Sequence, residues 1–359
     1  MKKIVSLMLT ATMALSMVAC GNKADNSSSD TEIALVTDVG TIDDKSFNQG
    51  SWEGVVKYSE EKGIGHKYYQ PAEKSNEAIT TAIELAIKGG AKTVVCPGFL
   101  FEEPVYNMQE KYPDVKFILI DGKPQNGDQK NPEYKVTENT VSIYFEEQEA
   151  GFLAGYGAVI DGYRNLGFMG GIAVPAVIRY GYGFVQGAEY AGKELGLAPG
   201  DITMKYTYVG DFDASPEHTA KAAAWYKEGV ELIFACGGGV GNSVMKAAET
   251  ADKKVIGVDV DQSVESETVI TSAMKNLQNA VYETLESIYN GTFVGGQTMI
   301  LGADSGNVLL PMETSKFETF NKEKYDEIYA KIANKEIELQ KETAGENPTD
   351  LGTEIVVIK

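Results

Sequence analysis

Along this chain, short unbroken runs of apolar residues alternate with longer stretches in which apolar positions recur every three or four residues. Glu32-Ile33-Ala34-Leu35-Val36-Thr37 contains the first such run, and Thr93-Val94-Val95-Cys96 and Lys116-Phe117-Ile118-Leu119-Ile120-Asp121 repeat it. Consecutive apolar positions over so few residues predict strands covered on both faces. The helix-period stretches predict helices over 48–62, 76–88 and 102–111, with a more polar strand at 66–69. The pattern then restarts. Helices are predicted over 146–160, 178–195, 217–227 and 241–251, and strands over 165–169, 202–208, 232–236 and 254–259. Strand–helix alternation with short loops predicts a parallel, doubly wound sheet. Its recurrence predicts two lobes on one plan.

The N-terminus changes the picture of where such a protein works. Met1-Lys2-Lys3 is followed by an apolar run to Ala19 and then Cys20. A basic start, a short apolar core and small residues before the cut form a secretory signal, and roughly 16 residues is short of the about 20 a spanning helix needs. Leu15-Ser16-Met17-Val18-Ala19-Cys20-Gly21 is similar to a bacterial lipoprotein box. The expectation is a signal peptide at 1–19, with Cys20 acylated (palmitate) as the mature N-terminus. Residues 20–31 are polar and serve as a lipid-anchored flexible tether. The chain beyond residue 31 exceeds one ordinary domain.

A formal net charge of −20 argues against nucleic acid, which needs clustered Lys and Arg on a face. Cys96 and Cys236 end different predicted strands in different halves, so two buried free thiols are expected rather than a disulfide. Two histidines and no Cys/His cluster call for no metal. His66 and His218, in turn-like contexts, are read as surface residues. No cofactor is expected.

In open α/β sheets ligands gather beyond the carboxyl ends of the strands. There the chain places Asp38-Val39-Gly40-Thr41-Ile42-Asp43-Asp44-Lys45-Ser46-Phe47-Asn48-Gln49-Gly50, then Pro97-Gly98-Phe99, Asp121-Gly122 and Gly210-Asp211-Phe212-Asp213. Gly237-Gly238-Gly239-Val240-Gly241, Asp259-Val260-Asp261 and Thr271-Ser272-Ala273-Met274-Lys275-Asn276 come later in the chain. Carboxylates accept from hydroxyls and ring N–H groups, and Lys donates. Phe faces stack on flat rings, and glycines let backbone approach a ligand. The set suits a planar ring joined to a polyol. The bland alternative for the first loop is a helix cap with Phe47 tucked into the core.

The loop lacks the G-x-G-x-x-G of a dinucleotide site, and no Lys-Ser/Thr comes after the glycine run as a P-loop requires. No G-x-S-x-G elbow or suitably placed His supports nucleophilic catalysis. Paired Asp residues leave a glycosidase-like mechanism formally open, but such pairs more often cap helices or bind hydroxyls.

Thr37-Asp38 with Asp43-Asp44-Lys45-Ser46-Phe47-Asn48-Gln49 is a specific signal. With Gly170–Pro175, Gly183-Phe184-Val185-Gln186-Gly187, Gly210–Asp213, Gly257–Asp261 and Thr271–Asn276 in order, the chain resembles the basic membrane protein family of purine-nucleoside-binding lipoproteins. The resemblance implies a type I periplasmic-binding-protein fold, two doubly wound parallel-sheet lobes joined by three hinge crossovers. It places 32–142 with 272–301 in lobe 1 and 143–271 with 302–359 in lobe 2, with crossings near Ser142, Ser272 and Leu301. It implies a monomeric, non-catalytic solute-binding protein, anchored outside the cell membrane. The protein would deliver guanosine, inosine or adenosine to an ABC permease and its ATPase. Carried over by position, Phe47 stacks on the base and Phe212 forms the opposite wall, with Tyr180, Tyr182 and Phe184 as competing aromatics. Asp38, Asn48 and Asp121 meet base or ribose edges, and Gly238, Asp259 and Lys275 face the ribose. The same residues also suit a sugar or other small metabolite, a ligand-presenting sensor, or an enzyme acting on nucleosides.

Overall fold

A computed structural model describes residues 31–38, 40–128, 130–341 and 347–359. The expected signal peptide, Cys20 and the tether up to residue 30 lie outside these. The chain runs β1 (Ile33–Val36), α1 (Phe47–Lys62), β2 (His66–Tyr69), α2 (Asn76–Lys88), β3 (Thr93–Pro97), α3 (Glu102–Lys111), β4 (Lys116–Ile120) and β5 (Thr140–Phe145). Then come α4 (Glu147–Ile160), β6 (Asn165–Gly170), α5 (Pro175–Glu194), β7 (Ile202–Tyr208), α6 (Pro216–Lys227), β8 (Leu232–Cys236), α7 (Gly239–Ala251), β9 (Lys254–Asp259) and β10 (Val269–Lys275). The chain closes with α8 (Leu277–Asn290), β11 (Gln297–Leu301), β12 (Val308–Leu309), α9 (Lys322–Ala333) and β13 (Val356–Ile358).

These strands form two sheets, one in the order β11-β5-β4-β3-β1-β2 and the other β12-β10-β9-β8-β6-β7-β13. The first is parallel throughout, and in the second only β12 runs antiparallel, against β10. The apolar runs are unbroken because both faces are covered. In β1, Ile33 and Leu35 join one core, while Ala34 and Val36 join another with Ile79, Ile83 and Phe101 of the helical side. In β8 the same period-2 split sends Leu232 and Phe234 one way and Ile233 and Ala235 the other.

The chain changes sheet three times, after β5, after β10 and after β11. The crossings, expected near Ser142, Ser272 and Leu301, come just past Phe145, Lys275 and Leu301. Ser142 and Ser272 themselves lie inside strands, fully buried and paired to Leu119 and Gly257. β5 was not expected as a strand, because Thr140, Ser142 and Tyr144 interrupt its apolar run. β13, an edge strand on β7, was also unforeseen. Helix α5 starts at Pro175, three residues before its apolar period, since Pro is well suited to a first helical turn. His218 is buried, 5 % exposed, and its Nε2 lies 2.9 Å from Asp211, so the surface reading of it was wrong. Cys96 and Cys236 are buried free thiols. Among the described residues no helix is long and apolar enough to cross a membrane.

Helices α4 and α5 cross backbone to backbone. A Cβ at Gly155 would stand 2.1 Å from the Phe184 carbonyl oxygen, and one at Gly183 would stand 2.1 Å from that of Gln148. Gly155→Ala is therefore expected to force the helices apart. Overpacking costs about 1–3 kcal/mol, and the helix propensity of Ala returns up to about 1 kcal/mol. A contact that close to a backbone oxygen calls for the upper end of that cost, so a net loss of about 2 kcal/mol should appear as a lower melting temperature in the ligand-free protein; an unchanged value would contradict the close crossing.

Candidate functional site

The carboxyl ends of both sheets face one cavity, with about 690 Å³ of empty space including its mouth. It is lined by all eight residues singled out from the sequence: Asp38, Phe47, Asn48, Asp121, Phe212, Gly238, Asp259 and Lys275. Gly98, Phe99, Val174, Val177, Tyr180, Cys236 and Val258 add to the wall.

Phe47 is the first residue of α1. The Asp44 carboxylate caps this helix, accepting from the backbone N–H of Ser46, Asn48 and Gln49 at 2.9–3.1 Å. The loop is thus a helix cap, as its composition allowed, and the cap is what sets Phe47 at the cavity. Phe47 is half-buried, packed against the core on one side and lining the cavity on another. Asn48 is committed to the protein: its Oδ1 accepts from Asp38 N–H at 3.2 Å, and its Nδ2 donates to Asp38 at 2.7 Å and Asp44 at 3.0 Å. It therefore orients Asp38 as much as it lines the wall. Burial raises the Asp38 carboxyl to about 6, against the hydrogen bonds from Asn48 and Gly40. A Cβ at Gly98 would stand 3.7 Å from both Asp38 Oδ2 and the Phe47 ring, so carboxylate and ring border the same space.

Across the cavity, Phe212 packs its ring where Gly171 has no side chain; a Cβ there would come within 2.3 Å of it. Of the competing aromatics, Tyr180 lines the cavity, whereas Tyr182 and Phe184 are buried in the core.

Asp121 follows β4 directly and Asp259 ends β9, strands at corresponding places in the two sheets, and both have positive φ, 55° and 67°. Non-glycine residues held in that region mark functional positions when the surroundings enforce them. Lys275, at the end of β10, faces both carboxylates. Its ammonium is ion-paired to Asp121, lies 3.7 Å from Asp259 and 3.4 Å from Glu147, and is 2 % exposed. Burial would strip its proton, but the carboxylates of Asp121, Asp259 and Glu147 outweigh burial and hold its pKa above the ordinary lysine value. Burial raises Asp121 to about 7, against the pull of Lys275. The ammonium also stands 4.5 Å from the Phe47 ring centroid and 5.7 Å from those of Phe145 and Tyr180.

The two lobes meet at the rim. Ser46 Oγ donates to Asp259 at 2.5 Å, and Gln262 Nε2 donates to the Lys45 carbonyl at 2.8 Å. Sequence reasoning missed Glu147 and Arg179, whose side chains are joined at 2.6 Å behind Lys275. Acidic residues opening an otherwise apolar, Gly/Ala-rich helix were the available signal, since charges are rarely buried unless paired. An aromatic-walled cavity with a buried cation between two carboxylates can stack a flat ring and accept hydrogen bonds from hydroxyls. Among the described residues no cluster suits a metal ion.

Residues 31–343 match the family model of PnrA-like ABC transporter substrate-binding proteins, named Bmp. The chain is 30% identical over 343 residues to basic membrane protein A of Borreliella burgdorferi, covering 94% of this chain and 95% of that one. It is 29% identical over 312 residues to the ABC transporter nucleoside-binding protein BmpA of Lactococcus lactis, covering 80% and 84% respectively. Among solved structures it superposes on an ABC transporter solute-binding protein from Aeropyrum pernix with a TM-score of 0.75 and 23% identity, covering 89% of this chain and 96% of the other. The type I periplasmic-binding-protein fold expected from the sequence is the fold this protein has.

Proposed function

The chain belongs to the Bmp family of PnrA-like ABC transporter substrate-binding proteins, and from that premise we propose that its cleft binds a purine nucleoside for import. The observation that carries this is the adjacency of Phe47 to the Lys275–Asp121–Asp259 cluster. A stacking face and a set of hydroxyl acceptors lie side by side, as base and ribose do in the ligand. That a relative is named nucleoside-binding supports the same reading. Asp38 would accept from base N–H groups, Phe212 or Tyr180 would close the aromatic clamp, and Asp121 and Asp259 would accept from ribose hydroxyls. The protein would act outside the cell membrane, held by lipid on Cys20 and docking on an ABC permease served by its ATPase. A thermal-shift panel of guanosine, inosine, adenosine, free bases and hexoses tests the ligand class. Nucleosides should raise the melting temperature, and a response to hexoses alone would reassign the cleft to a sugar. Mass spectrometry of the mature N-terminus tests the anchor, since an unmodified, freely secreted product excludes it.

Acid should weaken binding. Burial raises Asp38 to about 6 and Asp121 to about 7, the latter against the pull of Lys275, and a ligand donating to them favours their ionised forms, lowering both values in the complex. Affinity is then full above both values and falls as pH drops through about 7 and about 6, by at most about tenfold per unit for each group, until that group's lower value in the complex is reached. Titration calorimetry from pH 5 to 8 checks this, and Asp38→Asn should remove the lower step. Affinity that is flat across this range would show that neither carboxylate accepts from the ligand.

A further inference from the structure

Glu147 and Arg179 stand behind the cavity without lining it. Glu147 opens α4 and is 0 % exposed; one of its oxygens receives Arg179 Nε and the other lies 3.4 Å from Lys275 Nζ. Burial would neutralise it, yet Arg179 and then Lys275 hold its carboxyl below the usual range. Among the described residues three carboxylates thus face Lys275 and Arg179, and of these three Asp121 and Asp259 line the cavity. An ammonium has three hydrogens to give, and Glu147 draws on them from the side away from the ligand space.

The consequence is visible on the cavity side. Asp121 is 7 % exposed at its side chain, and its Oδ1 is buried with no hydrogen-bond partner. Asp259 Oδ1 accepts from the Tyr180 hydroxyl at a long 3.4 Å and lies 3.7 Å from the ammonium. Buried carboxylate oxygens are ordinarily satisfied, so Asp121 Oδ1 is an acceptor held open, and Asp259 Oδ1, with one long bond, has acceptor capacity left.

Building on the nucleoside reading, we propose that Glu147 is a positioning residue that makes the cleft select a vicinal diol. It takes one of the three Lys275 hydrogens, so that Asp121 Oδ1 stays open and Asp259 Oδ1 keeps room for a second acceptor bond, toward two adjacent hydroxyl donors. Without the Glu147 charge that hydrogen turns to the aspartates: the ammonium, already on Asp121 Oδ2, closes on Asp259 Oδ1 and Asp121 Oδ1 and fills both acceptors. A ribose offers two adjacent hydroxyls and a 2′-deoxyribose offers one, so the charge of a residue that never meets the ligand sets the preference between them.

The test is calorimetry with guanosine and 2′-deoxyguanosine on wild type, Glu147→Gln and Glu147→Asp, with ligand-free melting on each. A site that hydrogen-bonds a hydroxyl rejects the analogue lacking it, so wild type should favour guanosine by about tenfold or more. Glu147→Gln should bring the ratio close to one by losing guanosine affinity, with Glu147→Asp between. A purely structural role would weaken both ligands by the same factor, and an unchanged ratio would overturn the proposal. Should Glu147→Gln fail to fold, the ratio in Glu147→Asp decides: a lower value than wild type supports the proposal and an equal one overturns it. Wild type binding both nucleosides equally removes only the diol assignment. Wild type binding neither removes the nucleoside reading and this proposal with it.

Discussion

Replacing Lys275 with methionine is expected to cost most of the nucleoside affinity and part of the fold's stability together. The side chain keeps its length but loses the charge that Asp121, Asp259 and Glu147 all face. Arg179 then remains to balance Glu147, while the two aspartates lose the ammonium. Breaking a buried pair by removing one partner costs about 3–5 kcal/mol, which should lower the ligand-free melting temperature. Losing a buried hydrogen-bonded charge at a binding site costs about 2–5 kcal/mol, or roughly thirtyfold to several thousandfold in affinity. Burial raises Asp121 already, and without the ammonium its carboxyl should rise further, so residual binding should move to higher pH. Guanosine or inosine bound by a folded Lys275→Met or Asp259→Ala as tightly as by wild type would falsify the assignment of this cluster.

The second large effect is at Phe47. Base–aromatic stacking is worth roughly 1–3 kcal/mol per base in single-strand nucleic-acid binders, so Phe47→Ala should weaken nucleoside binding about ten- to hundredfold. Phe47→Tyr and Phe47→Trp keep the flat face and should be much milder. The ring also touches the core, so some stability is lost as well. A residue whose whole role were packing would instead lose about 3–5 kcal/mol of stability on truncation, whatever the ligand. Measured on one mutant, a large affinity loss with a modest melting shift supports the clamp. An intact affinity with a collapsed melting point leaves the cavity without that wall.

What could be read from residues alone depends on the period of each pattern. β1, β3, β4, β8 and β9 are legible because a strand covered on both faces must be apolar at consecutive positions, and each is bounded by polar or glycine residues. Their order placed Asp38, Asp121, Phe212, Gly238 and Asp259 past carboxyl ends, where such sheets gather ligands. β5 and β10 were less legible. Thr140, Ser142, Thr271 and Ser272 break the apolar run, and their burial depends on neighbours supplied by β4, β9 and β11, some of them far along the chain. The three returns between the sheets leave no mark at their own positions for the same reason.

By itself the sequence determined the alternating architecture, the two lobes and the residue types at the cleft, because these depend on local periodicity and position relative to strand ends. Only the tertiary structure decided how those residues are used. It showed that Asp44 caps α1, that Asn48 is spent on orienting Asp38, and that Tyr180 rather than Tyr182 or Phe184 lines the cavity as Phe212 does. It also buried His218 against Asp211 and joined Glu147 to Lys275, 128 positions apart in sequence. Those choices turn on burial and on charges meeting at a few ångströms. The energy of a charge depends on the partners and the dielectric around it, and a chain written in one dimension carries neither.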